Sequence, residues 1–225
     1  MVESRCGILC SKCRYREEVN CQGCSVIDKP FWGDSCPVKD CCEERKYDHC
    51  GQCPDIPCDL LTQFSYDKEQ GDNGKRIKTC RTWAAIEKAD KIINSKTSVG
   101  DNEWNRQYCT LSLIDLDGYP FADTISIAKA DGIRWLTFCT GLSSRKVKRI
   151  NKSNRASVCV NSSGYNITLV GTVEVLTDPA IKKEMWYVGT DEYYSGSDDP
   201  DYCVLRFNTE RYMLWFAGDE TEGVL

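Results

Sequence analysis

Cysteine limits what this chain can become more than any other residue. Of its 16 cysteines, twelve lie in residues 1–80 and four in the remaining 145. The first group is Cys6, Cys10, Cys13, Cys21, Cys24, Cys36, Cys41, Cys42, Cys50, Cys53, Cys58 and Cys80. Three C-x-x-C pairs stand out: Cys10/Cys13, Cys21/Cys24 and Cys50/Cys53. Two residues between thiols let a tight turn aim both sulfurs at one ion. The run from Cys10 to Cys24 has the spacing of a four-thiolate site. Cys36, Cys41, Cys42, Cys50, Cys53 and Cys58 can supply another, and Cys6 joins the ligand candidates through its spacing to Cys10. The expected metal ligands are therefore the eleven cysteines from Cys6 to Cys58.

Two chemistries fit such a set. Structural zinc would staple a segment with few large apolar side chains. One or two [4Fe-4S] clusters would use the same thiolates, with Cys6-x3-Cys10-x2-Cys13 as a three-cysteine cradle. That spacing also occurs in radical S-adenosylmethionine enzymes, but no barrel-length sequence of that kind follows. The single histidine, His49, excludes a His-rich metal site and reads as a surface residue beside Cys50.

The whole pattern from Cys6 to Cys58, with its Cys41-Cys42 pair and Ile56-Pro57-Cys58 ending, resembles an uncharacterised cysteine-rich domain family. The resemblance covers roughly residues 5–65 and implies metal binding.

The cysteine step also divides the chain. Residues 1–65 form the expected cysteine-rich domain, and the polar segment 66–80 reads as a linker. Residues 81–225 form a second domain. With 41% hydrophobic residues and six Trp the chain can bury a core. Net charge is −5, and neither part has the basic excess of a nucleic-acid binder. The start has no apolar leader and no run is long enough to span a membrane, so a cytoplasmic location is expected. Disulfides are rare there, which favours ligation over stapling.

Trp83, Ile86 and Ile93 recur at helical spacing and predict a helix over about 81–95. Residues 96–106 read as a polar loop. From Gln107 onward the pattern is strand-like. QYCTLSLID and FADTISIAK flank an Asp117-Gly118 hairpin signal. A turn at Ala130-Asp131-Gly132 leads into IRWLTFCT, and a Gly164 turn joins ASVCVNSS to NITLVGTVEVLTD. Asp178 caps a helix, and two last strands fall near YCVLRFN and YMLWFAG. The expectation is a mainly β fold: a six- or seven-stranded antiparallel split barrel with flanking helices.

The chemistry of this part sits in TFCTGLSSRKVKRI. A strand ends at Thr140, Gly141 turns sharply, and Ser143 or Ser144 caps a helix opening with Arg145 and Lys146. Hydroxyls, helix N–H groups and two cations in one place suit a phosphate. A merely capped, solvated helix, basic through Lys148, Arg149 and Lys152, is the competing reading. Cys109, Cys139, Cys159 and Cys203 read as small buried hydrophobes.

The blocks GYPFADTISI, FCTGLSSRKVKRINKSNRASVCV and VGTVEVLTDPAIKKEMW resemble the pyridoxamine 5'-phosphate oxidase-like split barrels, over about residues 82–216. That family includes general-stress flavoproteins and nitroimidazole reductases. The resemblance implies flavin mononucleotide (FMN), its phosphate on Thr140, Ser144, Arg145 and Lys146. It further implies that Asp123, Thr124, Ile125 and Ser126 offer backbone groups to the isoalloxazine. Trp215 corresponds to an aromatic reaching the flavin from a second subunit, so a homodimer is implied, although plain packing explains Trp215 equally well. Many relatives carry an Arg where this chain has Phe121 and Asp123. The C-terminal Arg/His pair that would oxidise vitamin B6 is not found. The expected function is an FMN-dependent oxidoreductase whose cysteine module relays electrons if it holds iron–sulfur clusters. NAD(P)H or a ferredoxin would be the donor. A non-catalytic FMN store or redox sensor with structural zinc is the alternative, and a heme-binding barrel a third.

Overall fold

The computed structural model describes residues 2–101 and 108–225. Part of the expected polar loop and the predicted strand start at Gln107 lie outside the described residues. The chain divides into two compact units, Met1–Ala85 and Ile86–Leu225.

The first unit contains short helices α1 (Tyr15–Glu18), α2 (Pro37–Glu44) and α3 (Asp59–Ser65), then the first turns of α4 (Lys75–Asn94). Pro37 opens α2, where its missing N–H costs nothing. The core cluster comprises Val38, Cys42, Cys50, Leu61, Ile77, Cys80 and Trp83. Three of these seven are cysteines, so thiols stand where a larger domain would place aliphatic side chains. Residues 75–80, expected at the end of a linker, are helical. Asp72 explains the early start: its carboxylate accepts the Arg76 N–H at 3.1 Å, the Arg76 Nε–H at 2.9 Å and the Ser65 hydroxyl at 2.7 Å. That side chain satisfies a helix-start donor which the polar composition alone did not announce.

His49 is not a surface residue. It is fully buried, its Nδ1 accepts the Gly51 N–H at 3.0 Å, and its ring stands edge-on to Trp83 at 5.3 Å. A buried imidazole is accommodated because its polar atom is satisfied.

The second unit holds the remainder of α4 and eight antiparallel strands: β1 (Tyr108–Ile114), β2 (Pro120–Ser126), β3 (Lys129–Asp131), β4 (Trp135–Gly141), β5 (Arg155–Ser162), β6 (Tyr165–Leu176), β7 (Tyr202–Phe216) and β8 (Asp219–Val224). Helices α5 (Arg145–Lys152) and α6 (Pro179–Glu184) interrupt them. The strand order is β2-β1-β5-β6-β7-β4-β3, with β8 added on β7. The two ends of this path, β2 and β3, are joined in sequence by Ile127 and Ala128 alone, both fully buried. A sheet whose edge strands are two residues apart in the chain must curl onto itself, which gives the split barrel. Alternate residues fill it: Leu111 and Leu113, Val158 and Val160, Ile167 and Leu169, Leu136 and Phe138.

Two expectations change. The last pair of strands is one strand of 15 residues, β7. Thr209 to Arg211 separate the two expected strands, but the register with β6 shifts between Val170 and Gly171 and absorbs Glu210 as a bulge. Gly171 is required there, since a Cβ would lie 2.0 Å from the Asn208 carbonyl oxygen. The other change is β8, whose DETEGV sequence hid a strand because it pairs only with β7 and stays largely exposed.

Candidate functional site

The turn between β4 and α5 forms as its residues predict. Ser144 is the N-cap, in extended conformation, and its Oγ accepts the Val147 N–H at 3.3 Å. The N–H groups of Arg145 and Lys146, at the first two helical positions, have no acceptor within the helix. Both cationic side chains stand at that end, Arg145 exposed and Lys146 half-buried. Thr140, at the end of β4, is buried on the face shared with Leu136 and Phe138.

Ser143 does something else. Its N–H and hydroxyl both go to the Asp201 carboxylate, at 2.8 and 3.0 Å, while the Leu142 N–H donates to the Asp201 carbonyl at 2.6 Å. Gly141 makes this possible, because a Cβ there would sit 2.4 Å from Asp201 Oδ2. Asp201 thus orders the turn from a residue some sixty positions away, and no local signal pointed to it.

The rest of the basic run is structural. Arg149 is buried, bonded through Nη1 to Asp123 Oδ2 at 3.1 Å, with its guanidinium 3.8 Å from the centroid of the Phe121 ring. Lys152 Nζ donates to the Leu116 carbonyl. The capped-helix reading therefore accounts for Arg149 and Lys152. The Arg149–Asp123 pair fixes α5 beside β2, the strand named for the flavin ring.

Within β2, Asp123 is committed to Arg149, Thr124 is exposed, Ile125 points into the core and Ser126 is half-buried. Among the described residues β2 has only β1 as a strand neighbour, so its other edge has no strand partner for its backbone N–H and C=O groups. Trp215 lies elsewhere. It is half-buried near the end of β7, paired with Asn166 and Glu220, whereas Thr140 pairs with Cys203 at the strand's beginning. Twelve residues of strand separate these points, roughly 40 Å at 3.3 Å per residue before bending.

Of the four barrel cysteines expected as small buried hydrophobes, only Cys109 and Cys203 are buried; Cys139 and Cys159 are partly buried. Cys109 and Cys203 are buried, and burial pushes their thiols up to about 12 and about 11. Cys139 is also pushed up to about 12 by burial, and its Sγ lies 3.1 Å from the Tyr202 hydroxyl and 3.3 Å from the Met185 carbonyl oxygen. Cys159 is only half-buried, on the outward face of β5.

A family pattern described as pyridoxamine 5'-phosphate oxidase matches residues 103–216, just over half of the chain. The chain belongs to the pyridoxamine 5'-phosphate oxidase family. A further pattern, described as a protein of unknown function (DUF3795), matches residues 14–63. Among solved structures, a Clostridium acetobutylicum protein related to general stress protein 26 of B. subtilis is 26% identical. It covers 63% of this chain and 94% of its own, with a TM-score of 0.52. General stress protein 26 from Bacillus anthracis str. Sterne is 15% identical over 62% of this chain and 96% of its own, with a TM-score of 0.48. A pyridoxamine 5'-phosphate oxidase-related, FMN binding protein from Nostoc punctiforme PCC 73102 is 12% identical, covering 64% and 94%, with a TM-score of 0.40. No curated protein matches the chain. No helix among the described residues of this family member is long and apolar enough to cross a membrane.

In the cysteine-rich unit, the eleven proposed ligands are not gathered into a preformed cage. Among the described residues, no three Cys, His, Asp or Glu side chains are grouped as a metal site. Within the second candidate group, Cys42 Sγ and Cys50 Sγ are 3.5 Å apart. Cys41, Cys53 and Cys58 line a small cavity with them.

Proposed function

We propose that the barrel binds FMN and works as an FMN-dependent oxidoreductase, the cysteine-rich unit serving as a thiolate–metal module. One observation carries the flavin reading. The capped N-terminus of α5, with Arg145 and Lys146, is tied by Arg149–Asp123 to the open edge of β2. A phosphate-bearing planar ligand needs that pair of features side by side, and family membership agrees with it. The residues suit FMN: helix N–H donors and two cations for a dianion, backbone groups for the ring edge.

When bound, the flavin would supply hydride or electron transfer. The chain's part is positioning. Ser144 holds the helix end, Asp201 holds the turn through Ser143, and Arg149 is neutralised by Asp123 and so leaves the phosphate to Arg145 and Lys146. No titratable side chain is assigned the role of acid or base, because Asp123 is occupied by its ion pair. The separation along β7 between Trp215 and Cys203, the partner of Thr140, supports a homodimer in which Trp215 of one chain meets the flavin of the other. NAD(P)H or a ferredoxin is the proposed donor.

The test is Arg145→Ala with Lys146→Ala in the full chain, measuring FMN affinity by fluorescence quenching. Charge-assisted bonds contribute about 1.5–3 kcal/mol each, so affinity should fall at least a hundredfold. Lys148→Ala, exposed on the same helix, should leave it unchanged. Unaltered affinity in the double variant would place the phosphate elsewhere. Bleaching of the flavin by NAD(P)H or reduced ferredoxin tests the catalytic half of the reading, and its absence with every donor would favour a store or sensor.

A further inference from the structure

Between Asp131 and Glu174 the chain contains no Asp or Glu, while Arg and Lys occur seven times. In a molecule of net charge −5 this is a local reversal of sign. Helix α5 lies within the stretch. Its Val147, Arg149 and Ile150 are buried, and Arg145, Lys148 and Lys152, at positions i, i+3 and i+7, form an exposed stripe. Arg155, which opens β5 just beyond, is exposed as well. Among the described residues no carboxylate pairs with Lys148 or Arg155, and Lys152 donates to the Leu116 carbonyl rather than to an acid.

The β1–β2 hairpin is fastened to this helix. Lys152 holds the Leu116 carbonyl, and the Phe121 ring lies 3.8 Å from the Arg149 guanidinium, which is bonded in turn to Asp123. The hairpin tip nevertheless leaves large apolar side chains in solvent: Leu116 is 54% exposed, Tyr119 71% and Phe121 41%. Asp115 is turned into the hairpin, where its carboxylate accepts the Asp117 and Tyr119 N–H groups, each at 2.9 Å. Asp117 is the acid left exposed at the tip. Three exposed apolar side chains thus stand beside three cations without a carboxylate partner. An apolar centre flanked by uncompensated charge is the make-up of a protein interface, and the sign of the charge calls for an acidic partner. A nucleic-acid strand draws its affinity from many phosphate contacts, whereas the stripe from Lys148 to Arg155 covers only about two helical turns.

We propose that the β1–β2 tip and the outer face of α5 form the docking surface for an acidic electron-carrier protein. This rests on the oxidoreductase reading and deepens it by choosing a protein donor over NAD(P)H. Lys148 lies two residues beyond Lys146, on the helix whose N-terminus is assigned to the flavin phosphate, so a carrier seated there arrives beside the cofactor site. Opposite charges speed the encounter, and burial of the apolar tip slows dissociation. Two molecules of a one-electron carrier are oxidised in turn for each two-electron, two-proton reduction of flavin, the protons coming from water.

The test measures binding of an acidic plant-type ferredoxin to the full chain by surface plasmon resonance, with FMN affinity measured alongside. The variants are Lys148→Glu with Arg155→Glu, and Tyr119→Ser. All three side chains are exposed, so the substitutions spare the core. Ferredoxin affinity should fall about tenfold or more in the charge-reversed variant and several-fold in Tyr119→Ser, with FMN affinity unchanged in both. Raising salt from about 0.01 M to about 0.1 M shortens the Debye length from about 30 Å to about 10 Å, and should weaken binding by the parent but not by the charge-reversed variant. No binding by the parent at low salt, or equal binding by all three proteins, overturns the docking surface. Tighter binding of the parent to duplex DNA or to phosphatidylserine vesicles than to ferredoxin, lost in the charge-reversed variant, overturns the choice of partner. A parent that binds ferredoxin as expected but takes up no FMN overturns the flavin reading and leaves the surface in place.

Discussion

The two units use the same residue in opposite ways, and the contrast follows from how much apolar surface each can bury. In the barrel, strands β1, β4, β5 and β6 each send alternate aliphatic or aromatic side chains inward, and Cys109 and Cys203 fill small gaps among them. Losing either thiol would remove only packing. In the first unit Val38, Leu61, Ile77 and Trp83 are the buried residues of the cluster besides its three cysteines. Such a core is too small to offset the entropy of ordering the loops around it. On the proposed reading, cysteine there provides ligation as well as volume.

The largest expected effect tests this contrast directly. Chelation of bound metal from the full chain should abolish amide protection in residues 2–74 while strands β4–β7 remain protected, as read by hydrogen exchange. Structural zinc contributes roughly 10–16 kcal/mol at neutral pH, more than such a core supplies. Equal protection before and after chelation would remove the distinction between the units. Next comes Phe138→Ala, at the fully buried centre of β4, which should cost about 3–5 kcal/mol in denaturant unfolding of the barrel. A cost below 1 kcal/mol would mean that the barrel, too, depends on something other than its apolar interior.

Asp90 of α4 gives a smaller effect with a defined sign. Burial raises its pKa, opposed by the Ile133 N–H that its Oδ1 accepts at 2.8 Å. An acid with a raised folded pKa stabilises most below its unfolded pKa, and that contribution is lost as pH rises through the folded value. Stability should thus decline over the mildly acidic range as Asp90 ionises, and Asp90→Asn should flatten that decline. Asp90→Ala should cost about 1–3 kcal/mol at neutral pH, because the Ile133 N–H loses its acceptor. Identical pH profiles for the parent and Asp90→Asn would assign the decline to other groups. The smallest effect is Ser144→Ala, about 1 kcal/mol of thermal stability for a lost cap.

Legibility followed the range of the interactions. The Ser144 cap, the Asp178 cap that accepts the Ala180 and Ile181 N–H groups, and the hairpin at Gly118 are local, and each was readable from its own neighbours. Asp201 on Ser143 and Arg149 on Asp123 join residues far apart in sequence, so no spacing rule could find them. The early start of α4 failed for a related reason. Its helix-start acceptor, Asp72, sits in a segment whose Gly and charge content reads as a linker. His49 was misplaced because burial of a polar ring depends on partners, here Gly51 and Trp83, rather than on residue type.

By itself the sequence determined the division of the chain and its local elements. Cysteine count set the first unit apart, period-two hydrophobicity announced antiparallel strands, and Ser144 after a strand end marked a helix cap. These properties depend on composition and on spacing within a few residues. Tertiary structure decided partners: which thiols approach one another, which arginine neutralises Asp123, and that Thr140 pairs with the start of β7 whereas Trp215 lies near its end. Local spacing cannot carry that information, because a contact between distant residues is chosen by the energy of the whole packed chain.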